Sequence, residues 1–269
     1  MIKHIDVFLP PLSRYGVLTH FTVCVHEALL RAGIKSRLLE AKRHDPDPFI
    51  RALMEDTPDC TLSFNGVLPD SEGRFLADML QIPHVGILVD SSIYFSRFVP
   101  SSHTITTCVD EASVVFFQGL GFDRSFFLPH GVDRNLAAEP EGKREYDVVM
   151  LGSCVDYEAM RASWKGRFPA PLRQVMEDAA DFALENPSLP CYQAFVETLN
   201  KAVLAHADID PTKVHYLAVL AEVESYLRGK DRVELVKAVK DARVDIFGAS
   251  DEAKGWKDYV GGNKNVVIH

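Results

Sequence analysis

Short apolar runs of strand length alternate with segments whose apolar residues fall at helical spacing. This alternation restricts the chain to an α/β architecture. HVGILVD at 84–90 is the clearest of the runs. It is apolar at nearly every position, so both of its faces need cover, as in a parallel sheet, and it ends on the carboxylate of Asp90. Ile5 to Leu9 reads as an earlier strand, stopped by Pro10-Pro11 because proline has no backbone N–H for a ladder. From Thr19 onward, Val25, Ala28, Leu29 and Ala32 recur at helical spacing, and Gly33 stands where a helix commonly stops. IKSRLL at 34–39 supplies a strand, PFIRALMED at 48–56 a helix, CTLSFNG at 60–66 a strand and SEGRFLADMLQ at 71–81 a helix. HTITTCV at 103–109 and SVVFFQ at 113–118 read as two further strands separated by Asp110-Glu111, and FFLPHGVD at 126–133 closes the first half.

Between Asn135 and Glu145 the composition turns polar, with proline and glycine, which suits a domain boundary near residue 140. YDVVMLGS at 146–153 then opens a second α/β unit. Helical segments follow at about 171–185, 190–206 and 212–228, broken at Pro187, Pro190 and Pro211. In the last of them Leu217, Leu220, Val223 and Leu227 mark one face and Gly229 is a natural stop. VELVKAVKDA at 233–242 forms a separate helix before the strands VDIFG at 244–248 and NVVIH at 265–269. With so few strands, domain 141–269 reads as cut short and carrying a helical insertion; the alternative is a complete domain with a small edge strand at its end.

The charge balance, 29 Lys plus Arg against 38 Asp plus Glu, makes nucleic acid a poor partner. Cys24, Cys60, Cys108, Cys154 and Cys191 are odd in number and widely spaced, which disfavours disulfides and structural zinc and suits the cytoplasm. Asp6 and the two prolines interrupt the amino-terminal apolar stretch before it resembles a secretion signal. No apolar run approaches the roughly 20 residues of a membrane helix, so no transmembrane segment is expected.

In open α/β sheets ligands gather beyond the carboxyl ends of the strands. The loops there carry Ser13, Arg14, Tyr15 and Gly16, then Asn65-Gly66, Asp90-Ser91-Ser92, His130-Gly131 and Gly152-Ser153. An Asn-Gly pair such as Asn65-Gly66 is far more often a plain turn than a binding site. Asp90 suits a general base at the end of an apolar strand, or a cap for the next turn. Asp110 and Glu111 are neighbours on an expected strand, where they face opposite ways and need not form a dyad. No G-x-G-x-x-G, P-loop, G-x-S-x-G or H-E-x-x-H motif is present, and the histidines lack metal-ligand spacing.

Taken in order, SFNG at 63–66, the strand ending in Asp90, FFLPHGVD, YDVVMLGS and VDIFG resemble bacterial glycosyltransferases of the two-Rossmann-domain (GT-B) type. The similarity is to the spore-maturation-protein-like branch of the group 1 family. That resemblance implies an acceptor domain at 1–140 and the start of a nucleotide-sugar domain at 141–269. It places Gly16 and Asn65 in loops facing the ligand cleft, Gly152 and Ser153 near the donor diphosphate, and Asp90 and His130 on the acceptor side as candidate bases. The implied donor is a nucleotide-sugar bound as substrate, with no permanent cofactor and no required metal. The acceptor would be a hydroxyl of a carbohydrate, protein or small molecule. The family continues through further α/β units, so the chain is expected to be a fragment or a relative without its donor site. Two other classes stay open: a non-catalytic protein that binds a partner through 171–228, and another α/β enzyme acting on a phosphorylated metabolite.

Overall fold

Six parallel strands and their connecting helices build the first of two compact units, Met1–Ala137 and Ala138–His269. A computed structural model describes residues 2–10, 16–42, 45–132, 144–248 and 254–269. The first unit runs β1 (His4–Leu9), α1 (Val17–Arg31), β2 (Lys35–Glu40), α2 (Asp47–Glu55), β3 (Cys60–Phe64), α3 (Leu76–Leu80), β4 (His84–Ile87), a 3-10 helix at Ser92–Phe98, β5 (Thr104–Cys108), α4 (Glu111–Gly119) and β6 (Ser125–Phe127). The strands lie in the order β2-β1-β3-β4-β5-β6, every pair parallel. Val7, at the centre of β1, is fully buried and packs with Ile5 and Cys60 against Leu29 of α1 and Leu38 of β2. Phe8, one residue on, points to the opposite face and meets Phe49 and Leu53 of α2. A strand buried on both faces, as its apolar run requires, therefore sits mid-sheet.

The second unit begins with β7 (Val148–Leu151) and then turns helical: α5 (Tyr157–Arg167), α6 (Ala170–Glu185), α7 (Cys191–Leu204) and α8 (Tyr216–Ala238). It closes with β8 (Val244–Phe247), α9 (Trp256–Val260) and β9 (Val266–Ile268), giving the parallel sheet β7-β8-β9. Trp164 of α5, Met176, Ala179 and Ala180 of α6, Phe195 of α7 and Val223 of α8 are fully buried and form a helical core. Glu222 of α8 accepts both guanidinium N–H groups of Arg167 (2.7 and 2.9 Å) and the Trp164 indole N–H (3.3 Å).

Three expectations from sequence change. SVVFFQ at 113–118 is helical, not a strand. Asp110 caps α4 by accepting the Ser113 backbone N–H at 2.7 Å, and Phe116 and Phe117 become the buried side of the helix while Val115 is exposed. Asp110 and Glu111 thus belong to a helix start. The helix expected over 71–81 begins only at Leu76, because Asp70 accepts the backbone N–H groups of Glu72 and Arg74 and holds that stretch in a turn. Helix α8 passes through Gly229 without stopping and absorbs the segment expected as a separate helix. α5 was not expected at all: its sequence is polar overall, and it rests on the Asp156 cap and buried Trp164.

Gly229 serves close packing. A Cβ there would lie 2.9 Å from the Val155 Cβ and 3.1 Å from the Tyr157 Cβ, so the helix can approach that chain only without a side chain. Gly229→Ala gains about 1 kcal/mol of helix propensity and loses about 1–3 kcal/mol to overpacking. The expected result is a net destabilisation of about 1 kcal/mol, read as a lower urea midpoint on tryptophan fluorescence. A variant more stable than wild type would show that the contact relaxes freely.

Candidate functional site

Strand order fixes where the first unit can hold a ligand. The chain leaves β1 to one side for β2 and returns on the other for β3, so the loops after β1 and β3 part at the carboxyl ends of the strands and open a crevice. Gly16 stands on one side as the N-cap of α1. It is exposed, has φ +70°, and brings no side-chain acceptor to the first-turn amides. Ser13, Arg14 and Tyr15 lie outside the described residues.

Asn65 stands on the other side, with φ +59°, and binds the loop after β4 at three points. Its backbone N–H donates to Ile87 O (2.8 Å), its side-chain oxygen accepts the Val89 N–H (3.0 Å), and its amide donates to Asp90 Oδ2 (2.8 Å). Past Ile87 the Asn65 side chain takes the place of strand β3 as hydrogen-bond partner, while the Leu88 N–H still donates to Thr107 O of β5 at 2.9 Å. The next residue, Gly66, also has positive φ, and any Cβ there would overlap the Phe98 ring. Asn65 and Asp90 are therefore brought together, and Asp90 is an exposed carboxylate steered by an amide. His130 lies beyond β6 in an exposed irregular segment and has no hydrogen-bond partner among the described residues.

In the second unit the strand ends are drawn together by two glycines. A Cβ on Gly248, just past β8, would overlap the Gly152 carbonyl just past β7. The Gly152 carbonyl accepts the Trp256 indole N–H at 3.0 Å, and the Ser153 carbonyl accepts Arg232 Nη1 at 3.0 Å. Arg232 thus reaches from α8 to the carboxyl end of β7. It is half-buried and has no carboxylate partner among the described residues. Burial, followed by the like charge of Arg228 one turn away, pushes its pKa below the ordinary arginine value. A desolvated cation at a strand's carboxyl end, with no counter-charge among the described residues, is suited to an anionic ligand. Neither Arg232 nor Trp256 was marked by the sequence: each lies in an ordinary helical stretch about 80 or more residues from the loop it meets.

Among the described residues no group of three or more His, Cys, Asp or Glu side chains is placed to hold a metal ion, and no helix is long and apolar enough to cross a membrane. All five cysteines are free thiols; burial pushes Cys60 up to about 11, far from a reactive thiolate at neutral pH.

No family model matches the chain, and no solved structure matches it. It is 22% identical over 197 residues to an uncharacterized protein of Aquifex aeolicus (strain VF5), covering 70% of this chain and 49% of that protein. The chain spans about half the length of this relative.

Proposed function

We propose that the protein is a GT-B glycosyltransferase, or part of one, whose second unit takes the diphosphate of a nucleotide-sugar at Gly152, Ser153 and Arg232. The observation that carries this is Arg232, a half-buried guanidinium that reaches the Ser153 carbonyl at the carboxyl end of a parallel strand and has no carboxylate partner among the described residues. The two α/β units and the order of their loops agree with it. Under this proposal an acceptor hydroxyl attacks the anomeric carbon as the bond from that carbon to the diphosphate oxygen breaks. The guanidinium stabilises the negative charge on the departing diphosphate, and the hydroxyl proton passes to a general base. Asp90 and His130 are the candidates for that base; Asn65 orients Asp90.

Calorimetric titration with UDP, GDP, ADP and pyrophosphate tests the donor assignment. One nucleoside diphosphate is expected to bind more tightly than pyrophosphate, and Arg232→Met to weaken it about ten- to a hundredfold, the worth of a charge-assisted hydrogen bond. Equal affinity for pyrophosphate and every nucleotide would overturn a nucleotide-sugar donor in favour of a simpler phosphorylated metabolite. Binding indifferent to Arg232→Met would overturn the site.

A further inference from the structure

Apart from the strand ends, the helical part of the second unit carries a feature of its own. Helices α5, α6 and α8 border an open cleft of about 620 Å³, within the size range of small-molecule sites. Its lining includes Tyr157, Arg161 and Lys165 from α5, Arg173 and Glu177 from α6, and Tyr226 from α8. The α5 residues recur at four-residue intervals, and so do the two from α6, so each helix turns one face to the cleft.

The charges are unevenly satisfied. Arg161 is held by both oxygens of Asp181 (2.7 and 2.9 Å) and also donates to the Tyr226 hydroxyl (2.9 Å), which fixes the guanidinium in place. Arg173 has a longer contact with Glu177 (3.4 Å), and Glu158, also in the lining, pairs with Lys254 (2.6 Å). Lys165 is exposed and has no ion-pair partner among the described residues. Tyr157 lines the cleft with a hydroxyl that has no hydrogen-bond partner among the described residues and is open to a bound polar group. Its ring packs edge-on to Tyr226 (5.9 Å, 69°) and flat on Tyr259 (5.0 Å, 24°), so the hydroxyl is held on a rigid base.

We propose that this cleft binds a small phosphorylated carbohydrate. Lys165 and Arg173 supply cationic donors for a phosphate, with Arg161 preorganised beside them. The Glu177 carboxylate and the Tyr157 hydroxyl match sugar hydroxyls. The site is separate from Arg232 and does not depend on the donor assignment.

Titrations of the full chain with glucose 6-phosphate, glucose and inorganic phosphate, followed by NMR, distinguish the contributions. Glucose 6-phosphate is expected to bind with a dissociation constant of about 1 mM or tighter and to shift signals of residues 157–177. Glucose and phosphate are each expected to bind at least about tenfold more weakly. Lys165→Met, a change on the exposed surface, is expected to weaken binding about tenfold; Tyr157→Phe, which keeps the ring, about fivefold. Arg232→Met is expected to leave it unchanged. The proposal fails if glucose 6-phosphate does not bind, if phosphate or glucose alone binds as well, if Lys165→Met has no effect, or if Arg232→Met abolishes binding.

Discussion

Replacing Arg37 with methionine is expected to cost the first unit about 3–5 kcal/mol, because it leaves a fully buried carboxylate without its main counter-charge. Asp6 of β1 has no exposed surface and lies in register with Arg37 of the neighbouring β2. The guanidinium grips both carboxylate oxygens (2.9 and 2.6 Å) and also donates to the carbonyls of Ala52 (3.1 Å) and Asp56 (2.8 Å) at the end of α2. One side chain therefore ties two strands to a helix end, and hydrogen bonding to Asp6 holds its own pKa above the usual arginine value. Among the described residues His4 also contacts Asp6, at 3.0 Å.

Both tryptophans, Trp164 and Trp256, lie in the second unit, so their fluorescence does not report this loss. Hydrogen exchange of the β1 and β3 amides does: it is expected to quicken at least about a hundredfold. The double variant Asp6→Leu, Arg37→Met removes both charges and is expected to recover most of the stability. Unchanged exchange in Arg37→Met would show that Asp6 is not held as a buried carboxylate by Arg37.

Acidification from pH 6.5 to 4 is expected to cost the first unit roughly 3 kcal/mol through one imidazole. His84 of β4 is 2% exposed, with Nδ1 2.8 Å from the Thr61 hydroxyl and Nε2 3.0 Å from the Ser63 hydroxyl, and its ring stacks on Phe8. Burial pushes its pKa down to about 4. In the unfolded chain the same histidine titrates near 6.5. Above that pH both states are neutral and the group contributes nothing to pH dependence. Between 6.5 and 4 the unfolded chain gains a proton that the folded one refuses, so stability falls as pH falls; below 4 both are protonated and the loss is complete. Urea titrations followed on the first unit's NMR signals measure this, and His84→Gln, which does not titrate, gives the reference. The wild-type and variant profiles are expected to diverge across that window. Parallel profiles would show that the imidazole takes up its proton at the same pH in the folded and the unfolded chain.

The strands at 4–9, 35–40, 60–64 and 104–108 were legible because strand-length apolar runs announce themselves locally, and so was α1 with its stop at Gly33. SVVFFQ misled because its paired valines favour a strand; the Asp110 cap and the burial of Phe116 and Phe117 settled it as a helix. Asn65 and Asp90 could each be singled out as the end of a strand. Their hydrogen bond could not, since it follows from β3 pairing with β4 in one register. Arg232 carries no mark in its own helix. What the sequence determined by itself was the succession of elements and the polar residues at strand ends, because periodicity and proline or glycine punctuation act over a few residues. Tertiary structure alone decided which charges meet: Arg37 with Asp6, Arg232 with the Ser153 carbonyl, Arg161 with Asp181. Strand order and helix packing bring together side chains separated by tens of residues, and no local pattern encodes those distances.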